Sequence, residues 1–496
     1  MESPIVSAAA MRAAEEAAFA GGVEVAALMD RAGAGVARIV RQFFPRPGRA
    51  VVFVGKGHNG GDALVAARCL KEAGWEIDLR LVFPEKDCAE LTRKKLEELR
   101  KDELPRVPII GAAEARPSGS IVLDGVLGLG SKYLLREPVR TAAQEINRLR
   151  REEKMHVFAV DLPTGFDGDN GDSDPDCVVA DFTATIGFAK HGVVADRVID
   201  YVGRIGVVPL ADLVTPQVPA NDLLACEDSL WPLLPRRKFG AYKNEFGRIG
   251  VVAGSPGFIG AALMTAEGAL RAGAGLVEVF VPKDIYPIVA AAAPAEAMVK
   301  AVRSYRDLLE EKIDVWAVGP GLGKSQAKDV LRLIERAPAP MVVDADGLNI
   351  LADDVEVLKR CAGPRLLTPH PGEMRRLLDP GKMSRAGIAR SFTDLYPVTL
   401  LLKGARTIVC ERGKPLSYNS TGNPGMATGG MGDVLTGVCA ALVGQKLALY
   451  DAARIGAWAC GRSAEIAIFE KGETEESVLP RDVIQNFGAA LSELYR

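Results

Sequence analysis

The sequence predicts two successive α/β domains, each built on a mostly parallel sheet covered by helices on both faces. Three observations predict it. Short, continuous apolar runs alternate with helical patterns along the chain. Each of the clearest runs ends at a Gly or Asp that opens a loop. The rhythm breaks once near the middle and then restarts. Continuous apolar runs belong to strands buried on both faces, and strand–helix alternation belongs to βαβ units.

The runs 50–54 (AVVFV), 121–123 (IVL) and 157–160 (VFAV) read as buried strands, with helices over 61–73 and 139–151. The opening stretch 7–41 is Ala-rich with apolar residues at helical spacing. Its segment 29–35 (MDRAGAG) puts small residues on one face, which suits close packing against a neighbour. Further strands are expected at 248–253, 276–281, 315–318, 341–343 and 399–402. The polar, twice-proline stretch TPQVPANDLLACED marks the break. The boundaries expected are 1–213 for the first domain, 214–225 for a linker and 226–496 for the second. No fixed-period repeat relates the halves.

Composition narrows the function classes. Of 496 residues, 48% are hydrophobic and 25% charged, with net charge −3. That is a well-cored globular profile with no basic footprint for nucleic acid. The four histidines and the eight cysteines at 69, 88, 177, 226, 361, 410, 439 and 460 form no zinc-type spacing. Scattered cysteines, the lack of a signal-like leader and the lack of a membrane-length apolar run predict a cytoplasmic protein without membrane attachment. Homo-oligomerisation is expected, as for many such α/β domains.

Three strand ends in the first half carry polar chemistry. GKGHNGGDA follows 50–54, with the spaced glycines Gly55, Gly57 and Gly60 that let a backbone approach a phosphate. It is not a Walker A loop, since no Gly-Lys-Ser/Thr follows. DGVLGLG follows 121–123 and DLPTGFD follows 157–160. Ligands bind beyond the carboxyl ends of strands in open parallel sheets, so the three ends should share a crevice. Asn59, Asp124 and Thr164 offer hard oxygen ligands, suited to a monovalent or alkaline-earth cation. Asp161 is a candidate acid/base. Each Asp alone would read equally well as a turn or cap residue.

In the second half the sharpest signal is NPGMATGGMGDVLTG, a glycine-rich turn running into an apolar helix near Asp433. Backbone N–H groups at such a helix start form an anion hole, and an Asp there can act as base in phosphoryl transfer. GSPGFIG, GPGLG, DAD, TPHPGE and KGA fall at other strand ends.

GKGHNGGD, DGVLGLG, DLPTGFD and LMDRAG resemble the motifs of the NAD(P)H-hydrate epimerases, Rossmann-like three-layer α/β/α domains. FGRIGVVAGSPGFIGAA, LRAGAGLV, GPGLG, DADGLN, TPHPGE, KGA and NPGMATGGMGD resemble the ADP-dependent NAD(P)H-hydrate dehydratases of the ribokinase-like superfamily. The first resemblance implies substrate contacts at His58, Asn59, Gly60, Gly61, Asp62, Gly128, Leu129, Gly130, Ser131, Lys132, Tyr133, Leu134 and Asp161. It implies K⁺ ligands at Asn59, Asp124 and Thr164, with Asp161 as acid/base. The second implies substrate contacts at Ala261, Gly323, His370, Pro371, Gly372, Glu373, Met374, Arg375 and Asp433. ADP would lie against Lys403, Gly404, Ala405, Arg406, Thr407, Asn423, Pro424, Gly425, Met426, Ala427, Thr428, Gly429, Gly430, Met431 and Gly432. Mg²⁺ is expected, with Glu373 as an outer-sphere contact. The implied activity is repair of hydrated NADH and NADPH. One half interconverts the epimers, and the other dehydrates one epimer with ADP, giving AMP and phosphate. Departures from the family patterns are His58, Ala63, Thr164, Ser131-Lys132-Tyr133 and Cys460. Two other readings stand beside this one: a ribokinase-like vitamin-precursor kinase, and a non-catalytic binding or dimerisation role for the first half.

Overall fold

The computed structural model describes residues 2–101, 119–129, 134–214 and 222–495. Two compact units emerge: residues 3–221, and residues 222–496 with 1–2.

The first unit contains strands β1 (Arg49–Val54), β2 (Glu76–Leu81), β3 (Ile121–Gly125), β4 (His156–Val160), β5 (Phe182–Ile186) and β6 (Arg204–Val208). They form one parallel sheet in the order β2-β1-β3-β4-β5-β6. Successive residues of β3 and β5 are buried. Neighbouring side chains point to opposite faces, so both faces are covered. The chain first builds outward from β1 to β2, then returns to place β3 on the other side of β1. That reversal opens a crevice at the carboxyl ends of β1 and β3, the usual ligand position in such sheets.

The expected helical stretch 7–41 is two helices, α1 (Ala8–Ala20) and α2 (Val25–Phe43). Gly21 and Gly22 divide them, with Gly22 at φ 95°. The small face of α2 does permit close packing. A Cβ on Gly33 would lie 2.4 Å from Val65 Cβ, and one on Gly35 2.2 Å from Val208 Cγ1. Helix α3 spans His58–Glu72 and starts earlier than the 61 expected. The glycine loop itself forms the first turn, with Gly60 N–H donating to Gly57 O at 3.0 Å. Helix α4 covers Val139–Glu152.

The second unit holds β7 (Leu223–Ala225), β8 (Arg248–Val252), β9 (Leu276–Pro282), β10 (Ala297–Val302), β11 (Val315–Val318), β12 (Met341–Val343), β13 (Arg365–Leu367), β14 (Thr399–Leu402), β15 (Ile408–Glu411) and β16 (Ser417–Asn419). Their order is β10-β9-β8-β11-β12-β13-β14-β15-β16-β7. Pairing is parallel from β10 to β14, antiparallel through β15 and β16, and parallel again at β7. Strand β7 corrects the linker expectation of 214–225. The apolar triplet Leu223-Leu224-Ala225 is buried and pairs with Ser417–Asn419, so the second unit already begins there. Residues 215–221 lie outside the described residues.

Five helices position the second site: α5 (Ile259–Arg271), α6 (Ala345–Leu351), α7 (Pro371–Leu377), α8 (Met431–Gly444) and α9 (Leu449–Phe469). Helices α5 and α8 cross at glycines. A Cβ on Gly437 would sit 2.0 Å from Thr265 O, and one on Gly268 2.6 Å from Val434 O. This close crossing fixes where α8 begins. Among the described residues no helix is long and apolar enough to cross a membrane. All eight cysteines are free thiols.

Candidate active sites

At the first site, β1, β3 and β4 bring the predicted oxygen donors together. Asp124, the penultimate residue of β3, is fully buried. Thr164 donates from Oγ1 to Asp124 Oδ1 at 2.6 Å and from its N–H to Oδ2 at 2.8 Å. Asn59 Nδ2 donates to Leu127 O at 2.9 Å, and Leu127 N–H donates to Thr164 Oγ1 at 3.1 Å. The loop after β3 therefore ties Asn59 to the Asp124–Thr164 pair. Every donor to Asp124 among the described residues is neutral. Burial pushes its carboxyl up to about 6, against the lowering effect of hydrogen bonds from Thr164 and Val126. A buried carboxylate with only neutral donors suits a monovalent cation as counter-charge.

Asp161 follows β4 in a left-handed backbone conformation, φ 67°. A non-glycine residue held there is often part of a functional turn. Its Oδ1 accepts from Ile186 N–H at 3.1 Å and from the Lys190 ammonium. Asp62, in the second turn of α3, completes a carboxylate group with Asp161 and Glu15 of α1. Burial, then Asp161 and Glu15, hold the Asp62 carboxyl well above the usual range. Burial and Asp161 likewise raise Glu15.

Other predicted positions fall around this crevice. Gly60 and Gly61 are buried, and His58 is exposed. A Cβ on Gly55 would lie 1.9 Å from Val126 O, and one on Gly60 2.1 Å from Gly55 O, whereas Gly57 faces open space. Gly128 packs on Asn59, and Leu129 O accepts from Arg12 at 2.9 Å. Leu134 is exposed. Gly130, Ser131, Lys132 and Tyr133 lie outside the described residues. Arg12, Glu15 and Lys190 were missed by sequence reasoning. Lys190, interrupting the apolar run before it, was the one available signal.

The second site centres on Asp344, Lys403, Glu373 and Asp433. Asp344 is buried after β12. Its Oδ1 accepts from Lys403 Nζ at 2.7 Å and its Oδ2 from Thr436 Oγ1 of α8 at 2.9 Å. Lys403 Nζ lies 3.9 Å from Glu373 Oε2. Burial opposes the lysine's charge, but Asp344, Glu373 and Asp433 together raise its pKa. Asp433 stands in the first turn of α8, whose N-cap Gly430 adopts φ 97° and provides no side-chain cap. Burial raises the Asp433 carboxyl to about 7, with Asp344 and Asp346 adding and Lys403 opposing.

Around it, His370 caps α7. Its Nδ1 accepts from Gly372 and Glu373 N–H at 3.0 and 3.2 Å, while Glu373 Oε2 accepts from His370 N–H at 2.8 Å. Burial raises Glu373, with Lys403 opposing and Asp344 adding. Pro371 and Arg375 are exposed and Met374 is buried. Gly323 N–H donates to Asp346 Oδ2 at 2.8 Å, next to the loop that touches Ala261 through Gly321. In the glycine-rich loop, Asn423 Oδ1 accepts from Gly425 N–H at 3.0 Å, and its buried Nδ2 has no partner among the described residues. Thr428 donates to Gly425 O at 3.2 Å and Thr407 to Gly404 O at 3.0 Å. Gly429 faces open space and Gly432 abuts Lys403 and Asp344. Pro424, Ala427, Gly404 and Ala405 are exposed, Met426 and Met431 half-buried, and Arg406 buried. The sequence placed Asp344 at a strand end without assigning it a contact. Thr436, one turn beyond Gly432, was missed.

The fold and sites define a class: an α/β protein with two candidate active sites, one around a carboxylate at a strand end and one at a helix N-terminus. Comparison with known proteins makes it particular. Residues 249–486 match the family described as NAD(P)H-hydrate dehydratase, and residues 25–192 match the YjeF-related protein N-terminus. A bifunctional NAD(P)H-hydrate repair enzyme of Moorella thermoacetica is 36% identical over 90% of this chain and 89% of its own. Another, from Escherichia coli, is 34% identical over 92% and 88%. An ADP/ATP-dependent NAD(P)H-hydrate dehydratase structure from Bacillus subtilis, co-crystallised with ATP and Mg²⁺, is 25% identical, with TM-score 0.49 over 56% of this chain and all of that one. The chain belongs to the bifunctional NAD(P)H-hydrate repair enzymes, with an epimerase half and a dehydratase half.

Proposed function

We propose that Asp433 is the base that starts dehydration and Asp161 the acid/base of epimerisation. The observation that carries the proposal is the raised Asp433 carboxyl at an uncapped helix start beside Lys403. Asp433 takes the proton of the C6 hydroxyl, and that oxygen attacks the β-phosphorus of ADP as AMP leaves. The N–H groups of the Gly429–Gly432 turn receive the charge that develops. The C6–phosphate bond then breaks with a push from N1, and loss of a C5 proton gives NAD(P)H, AMP and phosphate. The adenine nucleotide lies along Lys403–Thr407 and Asn423–Gly432, where the unpartnered Asn423 Nδ2 awaits an acceptor.

Among the described residues no group of three His, Cys, Asp or Glu converges on a metal. Mg²⁺ is therefore expected to ride on the ADP phosphates, with Glu373 as outer contact, and it would neutralise phosphate charge. Asn59, Asp124 and Thr164 would hold K⁺, which would supply the cation their buried carboxylate lacks.

At the first site Asp161 takes the C6 hydroxyl proton of the hemiaminal as the C6–N1 bond opens to an aldehyde, its electron pair passing to N1 and spreading through C2=C3 into the carboxamide. Reclosure on the opposite face returns the proton and inverts the centre. NADH hydrate and NADPH hydrate are the substrates in this reading, the domains divide near 221 and 222, and the protein works as a cytoplasmic homo-oligomer.

Phosphorus-31 NMR of a reaction with the usable epimer and ADP tests the second half. One AMP and one inorganic phosphate per NADH are expected. Recovery of NADH without loss of ADP would reject ADP as the phosphoryl donor.

A further inference from the structure

Lys190 has no place in the chemistry described so far, yet it is one of the most deeply buried charges in the chain, fully shielded from solvent. It lies beyond β5 in the two-residue stretch Ala189–Lys190, which pairs in parallel with Ile5–Val6. Its ammonium has three donors and three acceptors around it: Asp161 Oδ1, Ile186 O at 3.0 Å and Thr185 Oγ1 at 3.4 Å. Asp161 Oδ1 also accepts from Ile186 N–H at 3.1 Å. No described group donates to Asp161 Oδ2. The carboxylate is thus held by one oxygen, with the other left for a ligand, on a backbone fixed at φ 67°. The groups facing it from neighbouring elements, Asp62 of α3 and Glu15 of α1, are carboxyls and add no positive charge of their own.

We propose that Lys190 is the positioning residue of the epimerisation site, clamping Oδ1 of Asp161 through a tripod with Ile186 O and Thr185 Oγ1 so that Oδ2 meets the C6 hydroxyl. The inference rests on the reading of Asp161 as the acid/base. Lys190 does not touch the substrate. It fixes which oxygen reacts.

The test uses the full chain with a mixture of hydrate epimers, Mg²⁺, K⁺ and ADP, following 340 nm absorbance. The second unit reports conversion and serves as an internal control. In Lys190→Met, which keeps length and apolar volume, kcat for epimerisation should fall about 10²-fold, the scale of a well-positioned acid/base. The substrate KM should stay within about twofold, because binding contacts are untouched. Dehydration of the usable epimer should be unchanged. Lys190→Ala leaves a cavity the size of a propylammonium ion. Added propylammonium should restore epimerisation, and 1-propanol should not. Epimerisation near the wild-type rate in Lys190→Met would overturn the inference. Equal response to propylammonium and 1-propanol, or no response to either, would also overturn it, because the lysine would then act by packing. The underlying reading fails separately: Asp161→Asn with full epimerase activity would remove Asp161, whereas an inactive Asp161→Asn beside an active Lys190→Met would remove Lys190 alone.

Discussion

The pH response of Asp433 follows from its surroundings. Its carboxyl sits near 7 because it is buried and faces Asp344 and Asp346, with Lys403 only partly compensating. A base must be ionised to work. Below pH 7, dehydratase kcat/KM should therefore fall about tenfold per pH unit. The same shift sets stability. In the unfolded chain an aspartate titrates near 4, so between about pH 4 and pH 7 the folded state holds a proton that the unfolded state has released. The stabilisation from that proton is complete at low pH and is lost as pH rises through 7. From pH 5 to pH 8 the wild type should lose about 3 kcal/mol from this group, at 1.36 kcal/mol per pKa unit. Asp433→Asn carries no charge in either state. It should abolish dehydration and gain about 3 kcal/mol on the wild type over that interval. Recovery of 340 nm absorbance from the usable epimer gives the rate profile, and urea unfolding at pH 5 and pH 8 gives the stability difference. An acid limb centred near pH 4, or a stability difference that does not change with pH, would refute the environment assigned to Asp433.

Other perturbations give separate outcomes. Lys403→Met removes the one cation that opposes the shift, so the acid limb of dehydration should move above pH 7 and ADP affinity should fall, read by isothermal titration. Replacing K⁺ with tetramethylammonium, whose methyl groups keep oxygen ligands off its charge, should stop epimerisation and leave dehydration of the usable epimer intact. Gly55→Ala would drive a Cβ to 1.9 Å from Val126 O, and urea unfolding of the first unit should show a loss of about 3 kcal/mol or more.

Much of this architecture was legible because buried parallel strands write themselves as apolar runs, and their loop-opening residues mark the ligand side. Strands β11, β12 and β14 lie where those runs ended. Asn59, Asp124 and Thr164 could be grouped in advance because one rule places strand ends in a common crevice. The misses have physical causes. Leu223–Ala225 is a strand inside a stretch whose prolines signalled a linker, and three residues carry too little periodicity to outweigh two prolines. Helix α3 starts within its own glycine loop because Gly60 closes a turn on Gly57, which composition alone reads as coil. The stretch 7–41 breaks at Gly21-Gly22, a signal that the surrounding alanines mask. Lys190 reaches Asp161 across 29 positions, and no local pattern encodes a partner at that distance. Thr436 likewise meets Asp344 only because α8 is drawn over β12 by its glycine crossing with α5.

The most direct test of a tandem repair enzyme is the extent of recovery from a mixture of both hydrate epimers with Mg²⁺, K⁺ and limiting protein. With ADP present, absorbance at 340 nm should rise to the value of complete conversion, and Asp161→Asn should stop at the fraction of the usable epimer before a slow spontaneous phase. A wild-type reaction that itself stops at that fraction would contradict the epimerase assignment, and no recovery with ADP or ATP would contradict the dehydratase.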